Sequence, residues 1–295
     1  MRLAPPLVAI LCTGLATAMM ICAIWAAMWT IPLVFRAADD TAYRLDGPED
    51  GPPLVLIHGL GLSSSLWQAH LPALCGRYRV LSYDLYGHGQ SAPAERPLNL
   101  SVFADQIARL LEETALGPAH LVGFSIGGMI NRRVAMDHPH LVRSLVILNS
   151  PHERGAQMQQ EVETRARKAL DRGAEATLQA ALERWFTPEF LASNAEIPQQ
   201  VAAWRLQADR TSYGQSAWVL AHGVRELIRL VPALNVPSLV MTCAEDVGST
   251  PQMSRDIAAE IAGAECQIIP KFKHLGLLEA PEAFTQPVFD FLQRV

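Results

Sequence analysis

The chain has 295 residues, half of them hydrophobic, with 29 acidic against 24 basic side chains and a net charge of −5. That length suits one large α/β domain, or a core domain with a modest insertion. No Lys/Arg run stands out, which excludes the basic footprint of a nucleic-acid binder. Five scattered cysteines (Cys12, Cys22, Cys75, Cys243 and Cys266) show no CxxC and no zinc-ligand spacing, and they read as buried apolar fillers.

The first element in chain order is an uncharged, apolar run from Leu7 to Thr30. About 20 apolar residues cross a bilayer as a helix, whereas a secretory signal needs only about 7–15 and a small-residue cleavage site. The run exceeds both lengths, so residues 1–35 are expected to form a single membrane anchor. The charged amino terminus ahead of it favours a non-cytoplasmic location for the rest of the chain. Two alternatives stay open: cleavage near Ala16-Thr17-Ala18 and secretion, or a cytoplasmic protein that starts at Met28.

Beyond the run, short β-rich stretches alternate with helical ones, the pattern of a mostly parallel sheet wrapped by helices. Leu54–Ile57 and Arg79–Tyr83 read as strands. Ser101 is placed to cap a helix whose Val102, Ile107, Leu110 and Leu111 share one face. A short strand ends at Leu121–Val122, a helix covers Ile126–Met136, and His138 and His140 form its cap and turn. Leu145–Leu148, Leu239–Met241 and Cys266–Ile269 are further buried strands, and Glu282–Leu292 is a closing helix. Between His152 and about Leu230 strand signals vanish and Ala, Gln, Glu and Arg recur at helical spacing. The chain therefore divides into an α/β core of 36–152 and 231–295 and a helical cap, or lid, of 153–230.

The chemistry sits at the turns. Gly123-Phe124-Ser125-Ile126-Gly127 fits G-x-S-x-G between a strand and a helix. There a serine is held in a strained turn at the helix N-terminus, and glycines remove the Cβ atoms that would clash. A serine nucleophile needs a base, and the base needs an orienting acid. His274, beyond the last strand, is the candidate base. Asp246, beyond the strand at Leu239–Met241, is the candidate acid, with Glu245 beside it as the alternative. His58-Gly59-Leu60-Gly61 closes an earlier strand, so the N–H groups of Leu60 and Ile126 are candidates for a two-donor oxyanion hole. Asp84–Ser91 (DLYGHGQS) reads as a turn-rich loop shaping the pocket floor, with His88 structural. Trp185, Trp204, Tyr213 and Trp218 either line an apolar pocket or pack as core. Arg225 either holds a substrate carboxylate or makes a surface salt bridge.

At these residues the chain resembles the α/β-hydrolase superfamily over roughly 40–295: HGLG, DLYGHGQS, GFSIGG, the Asp246 region and His274 fall in the superfamily's order. Within it, Tyr43–Pro53, Gly123–Ile130, Trp185-Phe186-Thr187-Pro188 and His274–Phe284 are most similar to the 3-oxoadipate enol-lactonase group. The resemblance implies the α/β-hydrolase fold with a helical lid, a small cyclic ester as substrate, and neither metal nor organic cofactor. His58-Gly59, the generic esterase form, and one extra residue between Asp246 and Pro251 depart from that group. The reaction expected is hydrolysis of a small lactone or carboxylic ester through an acyl-enzyme, lost on acidification as the histidine protonates. The alternatives are a C–C bond hydrolase or perhydrolase using the same three residues, and a catalytically silent membrane receptor or scaffold.

Overall fold

In the computed structural model, which describes residues 33–295, the chain winds around one sheet of eight strands. These are β1 (Phe35–Arg36), β2 (Ala42–Asp46), β3 (Pro53–Ile57), β4 (Arg79–Tyr83), β5 (Ala119–Phe124), β6 (Val142–Leu148), β7 (Ser238–Cys243) and β8 (Glu265–Ile269). Their order across the sheet is β1-β2-β4-β3-β5-β6-β7-β8. β1–β2 and β2–β4 are antiparallel, and every pair from β4 to β8 is parallel. Parallel neighbours need crossovers, so helices cover both faces and the strands between them are apolar on both sides.

The side-chain alternation of β3 shows why. Leu54 and Leu56 point into one core cluster, Val55 and Ile57 into the other. On the Val55 side the sheet is covered by α2 (Leu100–Glu113) and α3 (Ile126–Asp137); on the Leu54 side lies the short α1 (Leu71–Leu74). Five helices follow β6: α4 (Ala156–Arg172), α5 (Leu178–Trp185), α6 (Pro188–Ser193), α7 (Glu196–Gln207) and α8 (Arg210–His222). The chain then returns to β7, α9 (Pro251–Ala259), β8, α10 (Gly276–Glu279) and α11 (Pro281–Leu292), whose Phe284, Val288 and Phe291 complete the Leu54 side.

α4 and α8 pack through small residues, Ala166 and Ala169 against Tyr213, Ala217 and Ala221. Their contact is close enough that a Cβ on Gly214 would stand 2.9 Å from the Leu170 Cα. This small-residue seam builds a third core cluster, separate from the two that sandwich the sheet.

Several expectations need correction. Ser101 does not cap α2: Asn99 does, its side chain accepting from the Val102 N–H at 2.9 Å, while Ser101 Oγ donates to Asp137. β5 runs on to Phe124, directly up to Ser125. β8 is an edge strand, half open to solvent, so Cys266 is exposed and is no buried filler. Cys243 is buried, Cys75 is half-buried, and Cys12 and Cys22 lie outside the described residues.

The N-terminal membrane anchor does not stand. Among the described residues no helix is long and apolar enough to cross a membrane, and Leu7–Thr30, on which the expectation rested, lies outside them. The anchor and the non-cytoplasmic placement built on it are withdrawn.

Leu56 is fully buried in a strand with neighbours on both sides. Leu56→Ala is expected to lower the unfolding free energy by about 2–5 kcal/mol, read as a lower urea midpoint at unchanged slope.

Candidate active site

β5 turns into α3 within one residue. Ser125 has φ +58° and ψ −116°, a region that side chains rarely occupy and that costs energy to hold. Its N–H donates to the Leu148 carbonyl at 2.8 Å, which pins the turn to β6. The glycines are dictated by crowding. A Cβ on Gly123 would lie 2.2 Å from the Gly127 carbonyl oxygen, and one on Gly127 would lie 2.4 Å from that of Ile57. Ser125 is therefore left at the N-terminus of α3, 6% exposed, where the helix dipole favours developing negative charge.

Two loops at the same end of the sheet complete the arrangement. The loop after β8 holds Lys271 and Phe272 in the left-handed region, at φ +64° and +58°, and brings His274 over Ser125. Its Nε2 lies 3.1 Å from Ser125 Oγ and its Nδ1 2.7 Å from Asp246 Oδ2. Asp246, in the loop after β7, is buried. Burial alone would raise its pKa, but His274, Asn149 and the Ser249 N–H outweigh burial and hold the carboxyl below its ordinary 3.8. The ionised carboxylate must accept, so Nδ1 carries the proton and Nε2 is free to accept from the serine hydroxyl. Glu245, the alternative acid, is exposed and has no such contact with His274.

The remaining oxygen of Asp246 accepts from the N–H groups of Gly248 (2.8 Å) and Ser249 (2.9 Å). Asn149 is a further residue of the site that no sequence motif marks. It follows β6 with φ +47° and donates from Nδ2 to the same Asp246 oxygen that faces His274, at 2.9 Å. The one signal for it was an Asn, a residue that tolerates the left-handed region, directly after an apolar strand.

The His58-Gly59 loop runs alongside the turn. Leu85 N–H donates to His58 Nε2 at 2.9 Å, so Nδ1 is the donor to the Gly59 carbonyl at 2.8 Å. Burial lowers the pKa of this imidazole, which keeps it neutral and holds this pairing. Leu60 lines the cavity beside Ser125, and Ile126 opens α3 with its side chain buried.

The sequence model of the α/β-hydrolase fold family matches residues 52–281. The chain belongs to the α/β-hydrolase fold family. Among its relatives, (E)-2-((N-methylformamido)methylene)succinate hydrolase of Acinetobacter baylyi is 29% identical, over 83% of this chain and 91% of that protein. 3-Oxoadipate enol-lactonase 2 of the same organism is 26% identical over 87% and 95%. The crystal structure of the enol-lactonase from Burkholderia xenovorans LB400 superposes with a TM-score of 0.80 at 27% identity, over 88% of this chain and all of that one. Within that family the chain is thus similar to enol-lactonases, among other hydrolases.

Between this hydrolase's sheet and its helices 156–222 lies a cavity of about 130 Å³, floored by Ser125, His274 and Phe124. Trp185 and Tyr213 line it. Trp204 and Trp218 do not: Trp204 packs on the Leu54-side core and Trp218 stacks on His222. Arg225 is also outside the cavity, exposed, with Glu163 3.9 Å away. Four other arginines line the wall, Arg154, Arg165, Arg184 and Arg205, none singled out by the sequence.

The expectation for Asp84–Ser91 is corrected, because no residue of that loop lines the cavity. It docks α8 instead. Gly87, at φ +68°, leaves room for Ser212, and its carbonyl accepts from the Asp209 N–H at 2.7 Å. His88 is buried beside Tyr213, and burial pulls its pKa to about 4, so it stays neutral. Among the described residues no group of three His, Cys, Asp or Glu is placed to hold a metal ion.

The depressed pKa of Asp246 has a stability consequence. An unfolded carboxyl titrates near its ordinary 3.8 and the folded one lower. The stabilisation is therefore fully present above 3.8 and is lost as pH falls through the folded value. Urea denaturation from pH 7 downward is expected to show wild type and Asp246→Asn converging only in that acid window. A gap independent of pH would contradict the assignment of charge.

Proposed function

We propose that the protein hydrolyses a small lactone or carboxylic ester through an acyl-enzyme, with Ser125 as nucleophile, His274 as base and Asp246 as the orienting acid. The observation that carries this reading is the unbroken line from Ser125 Oγ to His274 Nε2 (3.1 Å) and from Nδ1 to Asp246 (2.7 Å) at the floor of a cavity.

The steps follow from the protonation states. As Oγ attacks the carbonyl carbon, Nε2 takes its proton, and the Asp246 carboxylate stabilises the imidazolium. The backbone N–H groups of Leu60 and Ile126 are proposed to bind the oxyanion. One such donor contributes on the order of 3 kcal/mol at the transition state. The imidazolium then protonates the departing alkoxide or enolate. Water, deprotonated by the same Nε2, attacks the acyl carbonyl and restores the serine. In this reading Asn149 restrains the Asp246 oxygen that also meets the imidazole, and residues 153–230 act as the lid that selects the substrate. The size of the cavity favours a small molecule, and the names of the relatives, an enol-lactonase and a hydrolase of a substituted succinate, point the same way.

Hydrolysis of p-nitrophenyl acetate and of small enol-lactones tests the proposal. Ser125→Ala is expected to lower kcat by at least about 10³-fold and to abolish labelling by a fluorophosphonate. Labelling that persists in Ser125→Ala would remove Ser125 from the mechanism. A wild type that neither labels nor turns over any ester would make the protein a binding module.

A further inference from the structure

We infer that the segment Glu183–Thr187, the end of α5 and the turn after it, is the mount of His274, and that Thr187 and Glu279 are positioning residues for the imidazole. This inference rests on the reading of His274 as the base.

The histidine loop does not hold itself. It leaves β8, an edge strand half open to solvent, and passes through two residues in the left-handed region, Lys271 and Phe272. Such residues cost of order 1–3 kcal/mol each and persist only where their surroundings fix them. Ahead of His274 the loop receives one backbone bond from the core, the Glu245 N–H on the Phe272 carbonyl at 3.1 Å. The Asp246 carboxylate fixes which imidazole nitrogen carries the proton. A histidine ring turns easily about its outer side-chain bond, so that one hydrogen bond leaves the ring plane undetermined.

The further restraints come from α5. The last four carbonyls of a helix have no partner within it. Here the Glu183 carbonyl accepts from Lys273 Nζ at 2.9 Å, and the Trp185 carbonyl accepts from the Leu275 N–H at 2.8 Å. The residues on either side of His274 are thus bonded to one helix end. Two residues beyond Trp185, Thr187 gives its N–H to Glu279 Oε1 at 2.8 Å and its hydroxyl to Oε2 at 2.6 Å. The same hydroxyl accepts from the Phe190 N–H at 3.3 Å, so its orientation is set. Glu279 closes α10, whose first residue is pressed onto the core: a Cβ on Gly276 would stand 2.6 Å from Cys243 Sγ. α10 begins two residues after His274, so the clamp on Glu279 reaches the histidine through one short, tightly packed turn.

The segment also touches the ring itself. The ring centres of Phe124 and Trp185 lie 5.0 and 6.1 Å from that of His274. Trp185 is in turn held by the Arg205 guanidinium, 5.1 Å from its ring centre. Among the described residues α4, α7 and α8 make no hydrogen bond to residues 271–279. The restraint is therefore particular to the end of α5 and not a general consequence of helices lying over the sheet. A misplacement of about 1 Å at a reacting group costs on the order of 10²-fold in rate. Loss of the clamp should therefore act on kcat and not on KM.

The test compares wild type with Thr187→Val, Glu279→Gln and Thr187→Ser on p-nitrophenyl acetate. The low-field proton resonance of the His274 Nδ1–H, assigned by its loss in His274→Gln, is the second readout. Thr187→Val and Glu279→Gln are expected to lower kcat at least about tenfold with KM within about twofold of wild type. They are also expected to broaden the Nδ1–H resonance, because a looser imidazole exposes that proton to exchange. Thr187→Ser, which keeps the hydroxyl, is expected to stay within about threefold of wild type in kcat. A lower urea midpoint with kcat and the resonance unchanged would make the clamp a stability device only and overturn the inference. Lys273→Met, at a solvent-exposed bond, carries the same expectation should both of those variants fail to fold. If wild type turns over no ester, the serine mechanism fails and the resonance decides. Broadening in Thr187→Val then supports the mount, and an unchanged line overturns it.

Discussion

A strand end and a helix N-terminus meet at Ser125 with no residue to spare, and that crowding shapes the surrounding structure. The first turn of α3 presses on the end of β3, with room at 127 for a hydrogen but not for a methyl. The same helix is stitched to the sheet by Asn131, which donates to the Val146 carbonyl at 2.9 Å, and to the loop after β6 by Arg132, which donates to Ser150 and Pro151. A non-glycine residue at positive φ costs of order 1–3 kcal/mol, and such a conformation persists only where its surroundings over-determine it. Two apolar clusters, one on each face of the sheet, supply that over-determination.

Parallel topology then decides where the chemistry collects. β3, β5, β6, β7 and β8 all point the same way, so their carboxyl ends open at one edge of the sheet. The loop after β3 holds Leu60, the turn after β5 Ser125, the residue after β6 Asn149, the loop after β7 Asp246 and the loop after β8 His274. The carboxylate of Asp246 is the electrostatic anchor of the group. It is buried yet satisfied by four donors, and that full satisfaction keeps a buried charge from destabilising its surroundings.

Helices 156–222 are tied to the loops of the sheet at two places. Gly87 and His88 hold α8, and the Leu275 N–H donates to the Trp185 carbonyl at 2.8 Å, which ties the histidine loop to the end of α5. These ties place an arginine-rich wall over the serine.

Ser125, His274 and Asp246 could be picked out as candidates because each imposes a local demand on its own neighbours: glycines around Ser125, a strand end before His274, turn formers after Asp246. The inner strands β3 to β7 were legible for a related reason, since residues buried on both faces are largely apolar, whereas β1 and β2 carry no such signal and β8 is half open to solvent, not buried. The cap of α2 was misassigned by two positions because Asn99 and Ser101 are both good caps, and only backbone geometry separates them. Hydropathy alone suggested a membrane anchor that the described helices do not support. The sequence by itself thus determined the fold class, the serine turn and the candidate triad, because those constraints act between residues close in the chain. Only the tertiary structure decided that Asn149 meets Asp246, that Asp84–Ser91 docks α8, and that arginines from four segments line one cavity. Those contacts join distant segments, and no local pattern records which surfaces of two packed elements will meet.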